Sequence, residues 1–168
     1  MIPLPGALGG AGLFGWRVDQ QIYASSWDSG EGAFRQGGRW NRKGTRAVYG
    51  SIDPATAILE VAVHKTFAVL DTVPHVLTAF EVTDVSAVHI VQAADVPNPN
   101  WLRPGIPSAG QQQFGEDLLA AHRFVLVPSA VSSHSWNLIF DATRAAGAYV
   151  RISQERFALD GRLHPPVR

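Results

Sequence analysis

The sequence predicts an α+β fold, a mixed set of strands around one or two helices in a single domain. Short β-branched, partly alternating runs at 13–18, 47–49, 76–82, 85–91, 124–127 and 148–153 have strand character. Two longer stretches, 54–67 and 112–122, carry helical spacing instead. The length of 168 residues suits one domain, 1–168, which buries about two thirds of its unfolded surface around one core.

Each element has a local reason. The first dozen residues hold Pro3, Pro5 and several glycines, so 1–12 is expected to be irregular. The same breakers, with no basic run before them, rule out reading residues 1–16 as a signal peptide or a spanning helix. Strand 13–18 places Arg17 near its end, and residues 25–46, rich in Ser, Gly and Arg, read as an extended surface loop. After the strand at 47–49, Asp53 is a helix cap and Pro54 stands at the first helical position. Apolar Ala55, Ile58, Leu59, Ala62 and Val63 cover more than one stripe of that helix, which predicts packing on two sides. Strands 76–82 and 85–91, separated by Thr83 and Asp84, read most simply as a hairpin. Residues 92–111 hold Pro97, Pro99, Pro104 and Pro107 with Trp101, the pattern of a lid or a partner-binding loop.

Composition narrows the function. Fourteen Lys and Arg balance fourteen Asp and Glu, so no long electrostatic track for nucleic acid is indicated and any anion site must be local. Cysteine is absent, which excludes disulfides, thiolate catalysis and cysteine-held metal centres. A cytoplasmic protein that neither spans membranes nor binds DNA directly is expected.

Three features can carry chemistry. Arg35, Arg39, Arg42, Lys43 and Arg46 are clustered around Gly37-Gly38-Arg39-Trp40-Asn41 with no acid between Glu31 and Asp53. Arginine forks match phosphate oxygens, and glycines let backbone approach a ligand, although a solvated basic loop has the same composition. Glu60 sits in an apolar helical turn, where an unpaired buried carboxylate would cost roughly several kcal/mol, so it needs a partner or a cleft. His64 lies one turn on and is one such partner; a nearby arginine is another. Trp40 and Tyr49 either stack on a planar ligand or pack the core. Ser129 lacks a nucleophile-elbow sequence, which favours a hydrogen-bonding role for its hydroxyl. The scattered histidines offer no metal-ligand spacing, so no metal is expected.

Taken in order, Gly15-Trp16-Arg17-Val18, the GGRWN run at 37–41, Ala47-Val48-Tyr49, the Ala57, Glu60 and His64 helix, Val127-Pro128-Ser129-Ala130-Val131, Asn137 and the ending Phe157, Asp160, Arg162, Leu163 resemble the RES-domain toxin family. The resemblance spans almost the whole chain. It implies an ADP-ribosyltransferase-like fold, a mixed β-sheet core with flanking helices, that binds NAD as substrate and breaks its nicotinamide–ribose bond. Carried over by position, Glu60, Arg17, Tyr49 and Ser129 are the implied catalytic residues. Arg17, Gly38, Arg39, Trp40, Tyr49, Ser129 and Asn137 are the implied NAD-binding set. Leu138 to Thr143 depart from the Asn-Pro-x-His continuation of many members, which points to a subgroup with a different acceptor.

The family further implies a bacterial toxin paired with an antitoxin that carries a helix-turn-helix domain and blocks the active site. ADP-ribose would pass to a protein target, or to water or phosphate in a glycohydrolase or phosphorylase. A non-catalytic nucleotide-binding module and a ribonuclease using the basic loop and His64 are the readings from other classes.

Overall fold

Seven strands in the order β4-β5-β6-β2-β1-β3-β7 make one sheet. The structure, a computed structural model, describes residues 12–163; the segment 1–12 expected to be irregular lies outside them except for Gly12. The strands are β1 Leu13–Gln20, β2 Ala47–Ser51, β3 His75–Val82, β4 Val88–Ile90, β5 Phe124–Pro128, β6 Trp136–Asp141 and β7 Tyr149–Phe157. The helices are α1 Glu31–Gln36, α2 Pro54–Thr72 and α3 Ala109–Ala121. Neighbouring strands run antiparallel except β4 and β5, which are parallel, so the sheet is mixed and the fold is α+β as predicted.

Side-chain alternation divides the core into two layers. Val48, Phe80, Phe124, Leu126, Leu138 and Phe140 fill one face together with Trp27. On the other face α3 packs Leu119 near Val125, Val127 and Ile139, while α2 packs Ala57 and Leu70 with Val18. Helix α2 starts as its sequence dictates: the Asp53 side chain accepts the Thr56 N–H at 2.8 Å, and Pro54 follows the cap.

Several expectations change. The hairpin over 76–91 does not form, because β1 and β7 occupy both edges of β3. Asp84 instead accepts the Ser86 N–H at 2.9 Å and closes a 3-10 turn, and the chain travels to the far edge of the sheet, where β4 joins β5. The loop at 25–46 contains α1, entered at Gly30 with φ +63° and left at Gly37 with φ +76°. Helix α2 extends to Thr72 but breaks at Thr66, whose φ of +68° is a strained value for a β-branched residue. It packs on one side only: Leu59 is 39% and Val63 60% exposed. In the proline-rich segment Val96 and Trp101 are buried, so this stretch is anchored in the core beside α3.

Candidate active site

Glu60, Ser129 and Asn137 converge from α2, the end of β5 and β6. The Ser129 hydroxyl donates to Glu60 Oε1 at 2.8 Å, and the Asn137 amide donates to the same oxygen at 2.5 Å. Among the described residues Glu60 has no cationic partner, and its second oxygen, Oε2, accepts no hydrogen bond. The carboxylate is half-buried. The partner demanded by its apolar surroundings is therefore a pair of neutral donors; the contact with His64 allowed by helical spacing is not made.

The turn from β5 to β6 is fixed onto α2 by its own chemistry. Ser135 Oγ donates to Asp53 Oδ2 at 2.6 Å, and Thr56 Oγ1 donates to the same oxygen at 2.7 Å. Burial alone would push the Asp53 carboxyl up, but the hydrogen bonds from Ser135 and Thr56 outweigh it and hold the group below the usual aspartate value. Ser129 is fully buried, and its oxygen accepts the N–H groups of Val131 at 3.2 Å and Ser132 at 3.0 Å. With both lone pairs taken by backbone, its proton is left to point at Glu60. This geometry suits a positioning hydroxyl.

A second cluster gathers around the GGRWN loop. The Tyr49 hydroxyl donates to Asn41 Oδ1 at 2.6 Å and accepts the Trp40 N–H at 3.1 Å. Burial drives this phenol well above the ordinary tyrosine value. Gly38 is required by the same contact: a Cβ there would stand 2.6 Å from the Tyr49 oxygen. Trp40 is only 3% exposed and meets Trp101 edge-on at 5.6 Å. The stacking role considered for Trp40 is therefore replaced by core packing, because its ring offers no open face.

Most of the basic patch is neutralised in place. Glu31 pairs with Arg35 at 2.7 Å and with Arg46 at 2.5 Å. Glu116 of α3 pairs with Arg42 at 3.0 Å and also accepts its backbone N–H and the Thr45 hydroxyl. Arg39 differs. Its Nη1 donates to the carbonyls of Trp101 at 3.0 Å and Arg103 at 3.1 Å, and it has no carboxylate partner among the described residues.

Arg17 lies where β1 and β2 separate, the two strands being paired only at Trp16 and Ser51. Its guanidinium grips both oxygens of Asp19, at 2.7 and 2.8 Å, and donates to the Tyr49 carbonyl at 2.7 Å across the gap. Trp16 and Val18 pack with α2, so alternation turns Arg17 to the opposite face. No hydrogen bond or ion pair joins it to Glu60.

Strand β2 connects the two clusters. Tyr49 and Ser51 are two positions apart on one face, about 7 Å along the strand, opposite Ile139 and Asn137 of β6. Ser51, missed in the sequence, donates to Asn137 Oδ1 at 2.8 Å. Its only sequence signal is its place at the strand end just before the Asp53 cap. No group of three or more His, Cys, Asp or Glu able to hold a metal occurs among the described residues. No helix among them is long and apolar enough to cross a membrane.

The chain is similar to known proteins in sequence and in fold. A sequence model of the RES domain matches residues 15–160. "Toxin Res" of Pseudomonas putida is 30% identical over 151 residues, covering 88% of this chain and 97% of that protein. The "Prs ADP-ribosylating toxin" of a Sphingobium species is 32% identical over 134 residues, covering 75% of this chain and 80% of that one. A chain in the crystal structure of the M. tuberculosis MbcT–MbcA toxin–antitoxin complex superposes with a TM-score of 0.71 over 88% of this chain and 85% of that chain. At 21% identity, that is a likeness of fold.

Proposed function

The chain belongs to the RES domain family, and from that membership and the Glu60 cluster we propose that it is a toxin that cleaves NAD and transfers the ADP-ribose to a cellular protein. The observation that carries the reading is the Glu60 carboxylate: one oxygen holds two neutral donors, and among the described residues the other accepts no hydrogen bond and no cation pairs with it. The name of the Sphingobium relative supports the same chemistry.

In this reading the C–N bond between ribose and nicotinamide breaks with both electrons leaving on the nicotinamide, which departs neutral. The ribose becomes an oxocarbenium-like cation. Glu60 Oε2 lies against the ribose hydroxyl and the developing positive charge, and the fixed donors on Oε1 hold the carboxylate in place without a costly rearrangement. A nucleophile of the acceptor then attacks the ribose carbon and loses its proton. Arg39, held by one nitrogen and with no carboxylate partner among the described residues, is the group for the pyrophosphate. Arg17 contributes by fixing the gap between β1 and β2, and meets phosphate only by sharing Asp19. The antitoxin partner is supported by the toxin–antitoxin complex of the fold relative. Its helix-turn-helix part would make the DNA contacts that this charge-balanced chain does not, in the cytoplasm where NAD is available.

The test incubates purified protein with NAD labelled on the adenylate, with and without cell lysate. Label on a discrete protein band supports transfer, whereas label only on free ADP-ribose or its phosphate assigns water or phosphate as acceptor. Glu60→Gln is expected to lower nicotinamide release by about a thousandfold and to leave NAD affinity within a few-fold. Near-normal turnover by that variant would defeat the assignment.

A further inference from the structure

We propose that Ser51 is a positioning residue for this reaction, acting through Asn137 to set the hydrogen-bond polarity at Glu60; the inference rests on the reading of Glu60 above. A carboxylate accepts and cannot donate, so Asn137 must turn its NH2 toward Glu60. Its carbonyl oxygen then faces the other way and needs a donor. Ser51 is that donor, 2.8 Å away and only 2% exposed, directly opposite Asn137 in the β2–β6 register.

The chain Ser51 to Asn137 to Glu60 runs in one direction only. Reversing the amide would set its carbonyl oxygen against the carboxylate, two acceptors with no proton between them. Ser51 closes that alternative, since a hydroxyl directed at Asn137 Oδ1 keeps the amide in its working orientation. The consequence reaches the reacting end of Glu60. With Oε1 held from two sides, by Ser129 and by an oriented Asn137, the carboxylate plane is fixed and Oε2 is presented in one direction. Without Ser51 the Asn137 carbonyl oxygen loses its donor, and the amide is held from the Glu60 side alone.

The experiment measures nicotinamide release from NAD by wild type, Glu60→Gln, Ser51→Ala, Asn137→Ala, the Ser51→Ala/Asn137→Ala double variant, and the same-shape pair Ser51→Thr and Ser51→Val. Ser51→Ala is expected to lower kcat by about tenfold with KM for NAD little changed. Ser51→Thr is expected to exceed Ser51→Val by a similar factor, because the two share a shape and differ in the hydroxyl, which separates hydrogen bonding from packing. In the Asn137→Ala background the Ser51→Ala loss is expected to vanish. An active wild type with dead Glu60→Gln but undiminished Ser51→Ala, equal Thr and Val variants, or losses that add in the double variant would overturn the proposal while sparing the Glu60 reading. A wild type that releases no nicotinamide would overturn both.

Discussion

Ser129 and Glu60, far apart in the chain, are joined by one hydrogen bond of 2.8 Å, and among the described residues the serine hydroxyl donates to no other group. Removing the hydroxyl leaves Glu60 with Asn137 alone and leaves the buried N–H groups of Val131 and Ser132 without their oxygen. Ser129→Ala is expected to reduce NAD turnover by about ten- to a hundredfold and stability by about 1–2 kcal/mol. Steady-state nicotinamide release with urea unfolding measures both, and unchanged turnover would remove Ser129 from the site.

Arg39 ties the 92–108 segment to the GGRWN loop through two carbonyls. Arg39→Ala is expected to raise KM for NAD about tenfold with a smaller effect on kcat, and to speed cleavage of the segment by a broad-specificity protease such as subtilisin around the fully exposed Ile106. Lysine should not restore the KM, since one ammonium replaces a planar fork. Unaltered KM together with unaltered cleavage would show that Arg39 neither grips NAD nor anchors the segment.

Tyr49 is a loop anchor before it is anything else. Tyr49→Phe strips a donor from Asn41 and an acceptor from the Trp40 N–H, at an expected cost of about 1–3 kcal/mol. Its buried phenol is held above the ordinary value of 10.0, so the folded state keeps a proton that the unfolded chain gives up. The contribution is complete below pH 10 and is lost as the pH rises beyond it. Urea midpoints above pH 10 should therefore fall less steeply for Tyr49→Phe than for wild type; parallel slopes would contradict the assignment.

Glu116 works at the opposite end of the pH scale. Burial raises its carboxyl, but the Arg42 backbone and side chain and the Thr45 hydroxyl prevail and hold it below 4.5. A depressed carboxylate stabilises fully above the unfolded value and loses that contribution as the pH falls through the folded one. Glu116→Gln is expected to be about 1–2 kcal/mol less stable at pH 7, with the gap to wild type closing below pH 4.5. A gap that persists at pH 3 would mean that charge is not the origin.

How much of this was legible in the sequence depended on the range of each interaction. The Asp53 cap, Pro54 and the strand at 124–127 were readable because their causes lie within a few residues. The need for a partner at Glu60 was also readable from its apolar neighbours, but the partners come from β5 and β6, and helical spacing offered His64 as a nearer substitute. The basic patch left a phosphate site and a solvated loop both open because its counter-charges, Glu31 and Glu116, stand at its margin and on another helix. The hairpin failed because turn chemistry at Thr83 and Asp84 cannot report that β3 has no free edge. Gly38 was noticed for ligand approach, while the structure gives it a different reason, the Tyr49 hydroxyl.

The late position of Ser129 and Asn137 has a consequence during synthesis. A ribosome-bound chain that has emerged only through α3 already displays Glu60, yet lacks both groups that hold it and the strand that covers the free edge of β2. The carboxylate gains both of its holding groups only once β6 is made, so in the proposed reaction a growing chain acquires a positioned Glu60 only with its last two strands.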